Sequence, residues 1–422
     1  MTYIFKHPET TKDRENICTL LNQVFKPEKV GDLAHTFMHH LPGMDDSNWF
    51  TMCDPETCDP VAVFALIPWT WEMDGIQLKV AEMGLVGTRQ DHRGKGLMKK
   101  LNQEFFSRLK EDKYDLSIIQ GIPGFYHNLG YHYAIEFESH IDLPLALIPE
   151  ANTFESFSFR RAGLEDIDFL MNQDKHYRQA NTFCVSRDSK AWEYLLTHSR
   201  DTEYGADFWI METESTPVFY ARVPFQGFGH GLILSEVSHD ISHDGFVSLV
   251  QFLKTQAIEK GKPHIRVNLH PQSPAAQMAI SLGATQTRPY AWQVKIPDQT
   301  AFLQRITPIL EKRLAQSMFK GFSGQLQLNL YTESIDLEFN HGKISIASGQ
   351  EDETKKVFCI PKDLFPALVL GYRNWNDLQA CRPDIFPANQ YLRFKPAVEP
   401  DEAGLLIDVL FPSSRSWIYE RF

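Results

Sequence analysis

A basic loop with two glycines, set between a predicted strand and a predicted helix, constrains the fold more than any other feature. The loop is Arg93-Gly94-Lys95-Gly96-Leu97-Met98, and it leads directly into apolar residues at helical spacing up to Leu109. Backbone N–H groups around the glycines meet the positive end of the helix dipole, where a phosphate binds favourably. Arg93 and Lys95 add positive charge. The pattern predicts an anion site; the alternative is a solvated basic turn that only caps the helix.

The elements around this loop predict a mixed α/β domain. A strand at Tyr3–Phe5 and a helix capped by Asp13 come first, and three apolar runs with turn signals between them predict an antiparallel meander. After the loop helix we expect a short strand and then a helix that ends at Gly130. The predicted meander strands and the later strand are Trp49–Met52, Val61–Pro68, Gln77–Thr88 and Leu116–Ile119.

The rest of the chain predicts two further domains, since 422 residues exceed one hydrophobic core. The later half of residues 151–296 repeats the pattern of the first segment in degenerate form, with a strand around Ile265 and a helix at Pro274–Leu282. Residues 297–422 begin with an amphipathic helix, Thr300–Leu314. Strict alternation from Leu326 to Ile346 then predicts an antiparallel sheet with one buried face. We therefore predict domains at 1–150, 151–296 and 297–422.

Composition excludes several classes of function. A net charge of −12 disfavours nucleic acid as a partner and favours cationic ones, although acidity also serves solubility. No apolar run is long enough for a membrane span, and the absence of a signal-like start predicts a cytoplasmic protein. The six cysteines are expected to be free thiols. His239 and His243 are too few ligands for a metal site, so we expect no metal.

Two motifs carry a resemblance to a known family. Thr88 to Met98 resembles the pyrophosphate loop of the GCN5-related N-acetyltransferase (GNAT) superfamily, Arg/Gln-x-x-Gly-x-Gly/Ala, with Met98 in place of the final small residue. Gly124-Phe125-Tyr126-His127-Asn128-Leu129-Gly130-Tyr131 is similar to its aromatic-Tyr-x-x-x-Gly-Phe signature. The two motifs occur in the expected order and spacing, which is more specific than either motif alone.

Over the whole chain the sequence resembles the enhanced intracellular survival (Eis) family. The resemblance implies tandem GNAT domains, the first catalytic and the second degenerate, then a sterol-carrier-like α+β domain. It also implies acetyl-CoA as cofactor, aminoglycoside-like acceptors and a homo-oligomer, specifically a hexamer. Residues before Phe246 carry no glycine loop, so the second copy is expected to bind no CoA.

Each requirement of acetyl transfer has a candidate residue, and the oxyanion donor and the general acid lie in the first predicted domain. The glycine-interrupted strand before the loop predicts a bulge that aims N–H groups at the thioester, with Val86 as oxyanion donor. Tyr126 is the candidate general acid, since a phenol remains protonated at neutral pH; the alternative is core packing. The predicted cofactor-binding residues are Leu85, Val86, Thr88, Arg93, Gly94, Lys95, Gly96, Leu97 and Met98.

The base and the acceptor pocket complete the predicted site. The Eis resemblance implies that the C-terminal carboxylate, here on Phe422, accepts the proton. The apolar end of the sequence predicts a docked tail, with packing between domains as the alternative role. A polyamine-like or aminoglycoside-like acceptor is expected to meet aromatic walls and acidic groups, with core packing as the alternative for each. The candidate acceptor residues are Phe37, Trp49, Trp69 and Glu82.

Two other functions remain open from the sequence. A protein or peptide lysine acetyltransferase would use the same cofactor chemistry with a more open cleft. A non-catalytic carrier would hold a lipid in the last domain or CoA at a vestigial loop. Arg93, Gly94, Gly96 and Tyr126 disfavour a loss of activity.

Overall fold

A computed structural model describes residues 2–150, 157–349, 356–388 and 402–422. The predicted start of the second domain, at 151–156, lies outside these residues. The mixed α/β class predicted from the sequence is confirmed. The elements of the first 150 residues are β1 (Ile4–Lys6), α1 (Thr11–Val24), α2 (Val30–His40), β2 (Trp49–Cys53), β3 (Pro60–Met73), β4 (Ile76–Thr88), α3 (Leu97–Glu111), β5 (Leu116–Ile119), β6 (His132–Phe137) and β7 (Ile141–Pro144).

The remaining chain continues in the same mixed order. The elements up to residue 296 are β8 (Ser158–Arg161), α4 (Ile167–Gln179), β9 (Phe183–Val185), α5 (Ser189–Thr197), β10 (Ala206–Thr213), β11 (Thr216–Pro224), β12 (Leu232–Leu234), β13 (Glu236–Val237), α6 (His243–Glu259), β14 (His264–Val267), α7 (Pro274–Ser281), β15 (Thr285–Gln286) and β16 (Tyr290–Lys295). Beyond it lie α8 (Gln299–Arg305), α9 (Thr307–Ala315), β17 (Gly324–Asn329), β18 (Ser334–Asn340), β19 (Lys343–Ser348), β20 (Lys356–Cys359), α10 (Phe365–Val369), α11 (Trp375–Cys381), β21 (Phe386–Ala388) and α12 (Glu402–Leu410).

The first sheet has the strand order β1-β2-β3-β4-β5-β16-β6, and β9 pairs with β3. Strands β2, β3 and β4 form the predicted antiparallel meander. Two local predictions were wrong. Thr10 is the N-cap of α1, and Asp13 is the third helical residue of a capping box that accepts the Thr10 N–H. The predicted helix before Gly130 is a single 3₁₀ turn, Tyr126–Leu129.

Strands are exchanged between the first and middle parts of the chain. Strand β16 enters the first sheet between β5 and β6, pairing antiparallel with both. In return, β7 lies between β14 and β15 in a sheet of order β12-β14-β7-β15. A separate sheet, β13-β11-β10-β8, completes the middle part. The sheet of the first part therefore contains a strand from the middle part, and a sheet of the middle part contains a strand from the first.

The C-terminal sheet, β19-β18-β17-β20-β21, confirms the predicted alternation. Leu326, Leu337 and Ile346 all face the buried side. The helix predicted at Thr300–Leu314 is divided at Ile306, because Pro308 stands in the first turn of α9 and has no N–H to continue α8. No helix in the described part of the chain is long and apolar enough to cross a membrane.

Candidate active site

A cavity of about 950 Å³ opens where two parallel strands separate. Strand β4 pairs with β5 only from Val80 to Glu82, although β4 continues to Thr88. In this gap β4 also has its predicted bulge: the register with β3 shifts beside Leu85, whose φ is +54°. The end of β4 beyond Glu82 is thus unpaired with β5, and residues of this end, from Met83 to Val86 and Thr88, line the cavity.

The glycine loop closes one end of this cavity. Gly94 and Gly96 have φ of +75° and +73°, a left-handed backbone that favours glycine, and an added Cβ at either would meet nothing within 4 Å. Gly96 is the N-cap of α3 with no side-chain cap. Within the described residues, no N–H from Gly94 to Lys99 donates to a protein acceptor. This free row of donors at a helix N-terminus fits a pyrophosphate.

Most of the predicted site residues are brought together on this cavity. Met98 also packs against the apolar core of the first domain, so its side chain has a place away from the loop's N–H groups. Trp49 and Trp69 are exceptions, since both are buried away from the cavity surface and neither lines it. The lining residues that the sequence predicted are Phe37, Glu82, Leu85, Val86, Thr88, Arg93, Gly94, Lys95, Gly96, Leu97, Met98, Tyr126 and Phe422.

Tyr126 lies in the cavity wall with its ring packed over a glycine. A Cβ on Gly121 would come 2.1 Å from the Tyr126 ring, so only glycine leaves room for this side chain. The Gly121 carbonyl accepts a 2.8 Å hydrogen bond from Gln293 Nε2 on β16. Burial raises the pKa of the Tyr126 phenol to about 12, which keeps it protonated at working pH. The middle part of the chain therefore helps to position this hydroxyl.

The end of the sequence is docked, as predicted. The Phe422 ring is 2% exposed and contacts the rings of Phe37, Trp69 and Tyr204 at centroid distances of 4.8, 5.4 and 4.9 Å. Upstream, Tyr419 stacks on Tyr177 at 3.9 Å. The C-terminal segment therefore packs on the middle part of the chain, and Phe422 lies in the cavity wall.

A buried cluster of charged side chains binds the C-terminal segment Trp417–Phe422 at Glu420. Arg187 is fully buried, and its guanidinium pairs with Asp174 at 2.8 Å and Glu236 at 3.0 Å. It also donates to the Glu420 carbonyl oxygen at 3.2 Å. Arg178 lies 3.4 Å from Asp174 and Arg222 lies 3.9 Å from Glu236, so each of these two buried carboxylates faces two guanidinium groups beside the docked tail.

Glu82 is a buried carboxyl that lines the cavity, and Trp69, which does not line it, contacts this carboxyl. Trp69 Nε1 donates to Glu82 Oε2 at 2.9 Å, while the Trp69 ring contacts Phe422. Burial raises the pKa of Glu82 to about 8, against the opposing effect of the Trp69 hydrogen bond. In the free protein at neutral pH this carboxyl is mostly protonated.

The raised pKa makes stability depend on pH with a definite sign. Between the ordinary carboxyl pKa near 4.5 and the folded value of about 8, the folded state holds a proton that the unfolded state has released. Stability of the wild type therefore falls as pH rises through this window, by about 1.4 kcal/mol per pH unit at most. Glu82→Gln removes this dependence. We expect the melting temperature of the variant to rise relative to that of the wild type as pH goes from 5 to 8. Above pH 9 this difference should grow no further. The exposed control Glu259→Gln should show no such gain, and parallel pH profiles for Glu82→Gln would contradict the prediction.

The cavity is electrically polarised. Arg93, Lys95 and Lys99 line the loop end, whereas Glu28 and Glu203 line the other side, together with Glu82, which adds negative charge only once it is ionised. Burial and the nearby Glu28 raise the pKa of Glu203, which places these two carboxyls close enough to interact. The arrangement suits an anion at one end and a cation at the other.

The lining residues that sequence reasoning missed include three with polar groups, Glu28, Glu203 and Tyr204. Glu28 lies in the loop between α1 and α2, where nothing in the local pattern suggested a site. Glu203 and Tyr204 come from the middle part of the chain, and only the packing of that part against the first brings them to the cavity. The sequence carries no signal for that packing.

The middle domain has a different helix start at the corresponding place. Helix α6 begins after Ser242, whose hydroxyl accepts the Gly245 N–H at 3.0 Å. A side chain thus occupies donors that α3 leaves open. This is consistent with the expectation that the second copy binds no CoA, which stays a prediction.

Comparison with known proteins points to one family. The family model "Acetyltransferase (GNAT) domain" matches residues 7–134. Among solved structures, the chain is similar to a probable N-acyltransferase of unknown function from Enterococcus faecalis (13% identity, TM-score 0.73, 100% of both chains). It is also similar to a GCN5-related N-acetyltransferase from Anabaena variabilis (14%, 0.70, 99% of both chains) and to Eis1 from Mycobacterium abscessus (11%, 0.61, 100% of both chains). At these identities the likeness shows the fold. No curated protein gave a match.

Proposed function

Residues 7–134 form an acetyltransferase domain of the GNAT family, and from this premise we propose that the protein acetylates small cationic amines of aminoglycoside or polyamine type. GNAT enzymes use acetyl-CoA, which supplies a thioester as the acetyl donor. The observation that carries the acceptor class is the polarised cavity, cationic at the loop and anionic opposite.

The cofactor end is supported by the donors that the fold leaves open. The N–H groups of Gly94–Lys99 would hold the pyrophosphate, with Arg93 and Lys95 adding charge. Arg93 Nε already donates to the Thr88 carbonyl at 3.2 Å, which orients the guanidinium beside the loop. The bulged end of β4 would direct the pantetheine along the gap toward Val86 and Tyr126.

The chemical step is assigned to three groups. The Val86 N–H stabilises negative charge on the thioester oxygen, and Tyr126 gives its proton to the departing sulfur. The Phe422 α-carboxylate takes the proton from the attacking amine; the docking of its ring on the cavity supports this role. Glu82 is the second carboxyl within the same wall and would attract the cationic acceptor once ionised.

A panel of amines at fixed acetyl-CoA tests the acceptor class, with thiol release as readout. We expect spermidine and kanamycin to react at least about tenfold more efficiently than a neutral-bodied amine of similar length, since two nearby carboxylates attract a cation. Glu28→Gln and Glu203→Gln should each raise KM for the cationic amines severalfold and leave KM for acetyl-CoA unchanged. Glu193→Gln, on the exposed face of α5, is the matched control.

The outcomes separate the competing functions. A lysine peptide that reacts faster than every small amine would favour the protein or peptide acetyltransferase instead. Binding of acetyl-CoA without thiol release toward any amine would favour the carrier. Equal rates for charged and neutral acceptors would remove the cationic class while leaving the acetyltransferase intact.

A further inference from the structure

A second cavity, of about 670 Å³, lies where the first domain meets the C-terminal sheet domain. It is bounded by the last turn of α3, the segment after the Tyr126 turn, the end of β16, and the loops that follow β17, β20 and α11. It shares no lining residue with the cavity at the glycine loop. Its volume lies within the range of ordinary small-molecule sites.

Five basic and two acidic side chains, the latter Asp363 and Asp384, line this cavity in a chain whose net charge is −12. Lys362 pairs with Glu333 at 2.6 Å, and Arg382 pairs with Asp363 at 2.9 Å and Asp384 at 3.2 Å. Neither Lys110 nor Lys295 forms an ion pair with any carboxylate in the described ranges. The basic lining residues are Lys110, His132, Lys295, Lys362 and Arg382.

Lys295 is the most constrained of these groups. Its Nζ donates to the Leu129 carbonyl at 2.7 Å and lies over the ring of Phe106. A Cβ on Gly130 would come 3.1 Å from this Nζ, and Gly130 has φ of +83°, so glycine there admits the lysine. A long cationic side chain is thus held half-buried by a carbonyl, an aromatic face and a glycine.

This arrangement is electrostatically unfavourable as it stands. Burial, together with the charges of Lys362 and Lys110 acting in the same direction, lowers the pKa of Lys295 to about 7. Burial also lowers the pKa of His132, with Asp363 opposing that effect. Two lysines without a carboxylate partner, Lys110 and the partly desolvated Lys295, are stabilised by a polyvalent anion, and phosphate is an anion that lysine commonly binds.

We propose that the cavity between α3, β16 and the C-terminal sheet domain is a binding site for a phosphate-bearing small molecule, separate from the acetyl-donor site. Lys295 and Lys110 contact the phosphate group, and Lys362 lies beside it. Phe106 and Ile296 offer an apolar wall to the remainder of the ligand. The proposal does not depend on the acetyltransferase chemistry.

Isothermal titration of the full chain tests the site, with coenzyme A in excess so that the glycine loop is saturated. The probes are inorganic pyrophosphate and glucose 6-phosphate. We expect one further binding event for at least one probe, weakened at least about tenfold in Lys295→Met and in Lys362→Met. Lys260→Met, an exposed lysine at the end of α6, should bind like the wild type. Unchanged coenzyme A binding in each variant shows that the fold is intact.

Proton uptake gives a readout that a structural role alone would not move. At pH 8, binding of a phosphate should protonate Lys295, so titrations in buffers of different ionisation enthalpy should reveal uptake in the wild type but none in Lys295→Met. Co-sedimentation with vesicles of phosphatidylcholine containing phosphatidate distinguishes a lipid headgroup from a free phosphate. Absence of binding by either probe and by the vesicles, or equal affinity in Lys295→Met, would overturn the proposal.

Discussion

Tyr126→Phe is expected to lower kcat by about 10²- to 10⁴-fold, the usual contribution of a general acid. The phenol lines the cavity, and burial keeps its pKa near 12, so removal of the hydroxyl deletes a proton donor without changing charge. The ring remains packed over Gly121, and KM for acetyl-CoA should therefore change little. Steady-state thiol release and direct titration of coenzyme A measure the two effects.

Tyr114→Phe is the matched control for this substitution. Tyr114 and Tyr126 are each 8% exposed, and burial raises both pKa values to about 12, yet Tyr114 does not line the cavity. We expect full activity from Tyr114→Phe. A Tyr126→Phe enzyme that keeps more than a third of the wild-type kcat would exclude the phenol as the acid.

Addition of one glycine after Phe422 is expected to lower kcat/KM for the amine by about 10²-fold or more, within the range of a lost general base. The extension moves the carboxylate but keeps the ring that packs on Phe37, Trp69 and Tyr204. Phe422→Ala is the complementary variant, because it keeps a carboxylate and removes the ring. Rates for both variants against spermidine, with melting temperatures, measure the two contributions.

The rates of the extended chain, Phe422→Ala and Glu82→Gln together identify the general base. A large loss in the extended chain at an unchanged melting temperature supports the carboxylate. If the extended chain is fully active while Glu82→Gln is inactive, Glu82 is the base, and the rate should rise with pH toward its pKa of about 8. If only Phe422→Ala is impaired, the tail serves packing alone.

Local patterns in the sequence predicted what depends on neighbours along the chain. The meander, the loop helix and the alternating C-terminal sheet follow from side-chain periods, and the bulge at Leu85 follows from glycines in a strand. The glycine loop and Tyr126 came from motifs whose spacing is local. Errors were local too: Pro308 divides a helix whose apolar pattern continues through it.

Local patterns could not predict contacts between residues that are far apart in the sequence. Trp49 and Trp69 are as apolar and aromatic as Phe37, yet only Phe37 lines the cavity, because the packing of α2 and of the sheet against the rest of the chain decides which side chains reach it. Glu203 reaches the site from a different domain. The domain borders, the sterol-carrier likeness, the homo-hexamer and the cytoplasmic location stay predictions.

The exchange of β7 and β16 limits how the chain can be divided into fragments or fused to other proteins. Residues 7–134 match the family model, but expression of that segment alone would leave β5 and β6 without the strand that joins them, and Gly121 without Gln293. The segment that carries Tyr126 would lose its support although every motif residue was present. The catalytic domain is therefore not a transferable module: a gene fusion or a recombinant fragment must bring Tyr290–Lys295 with it to keep an intact active site.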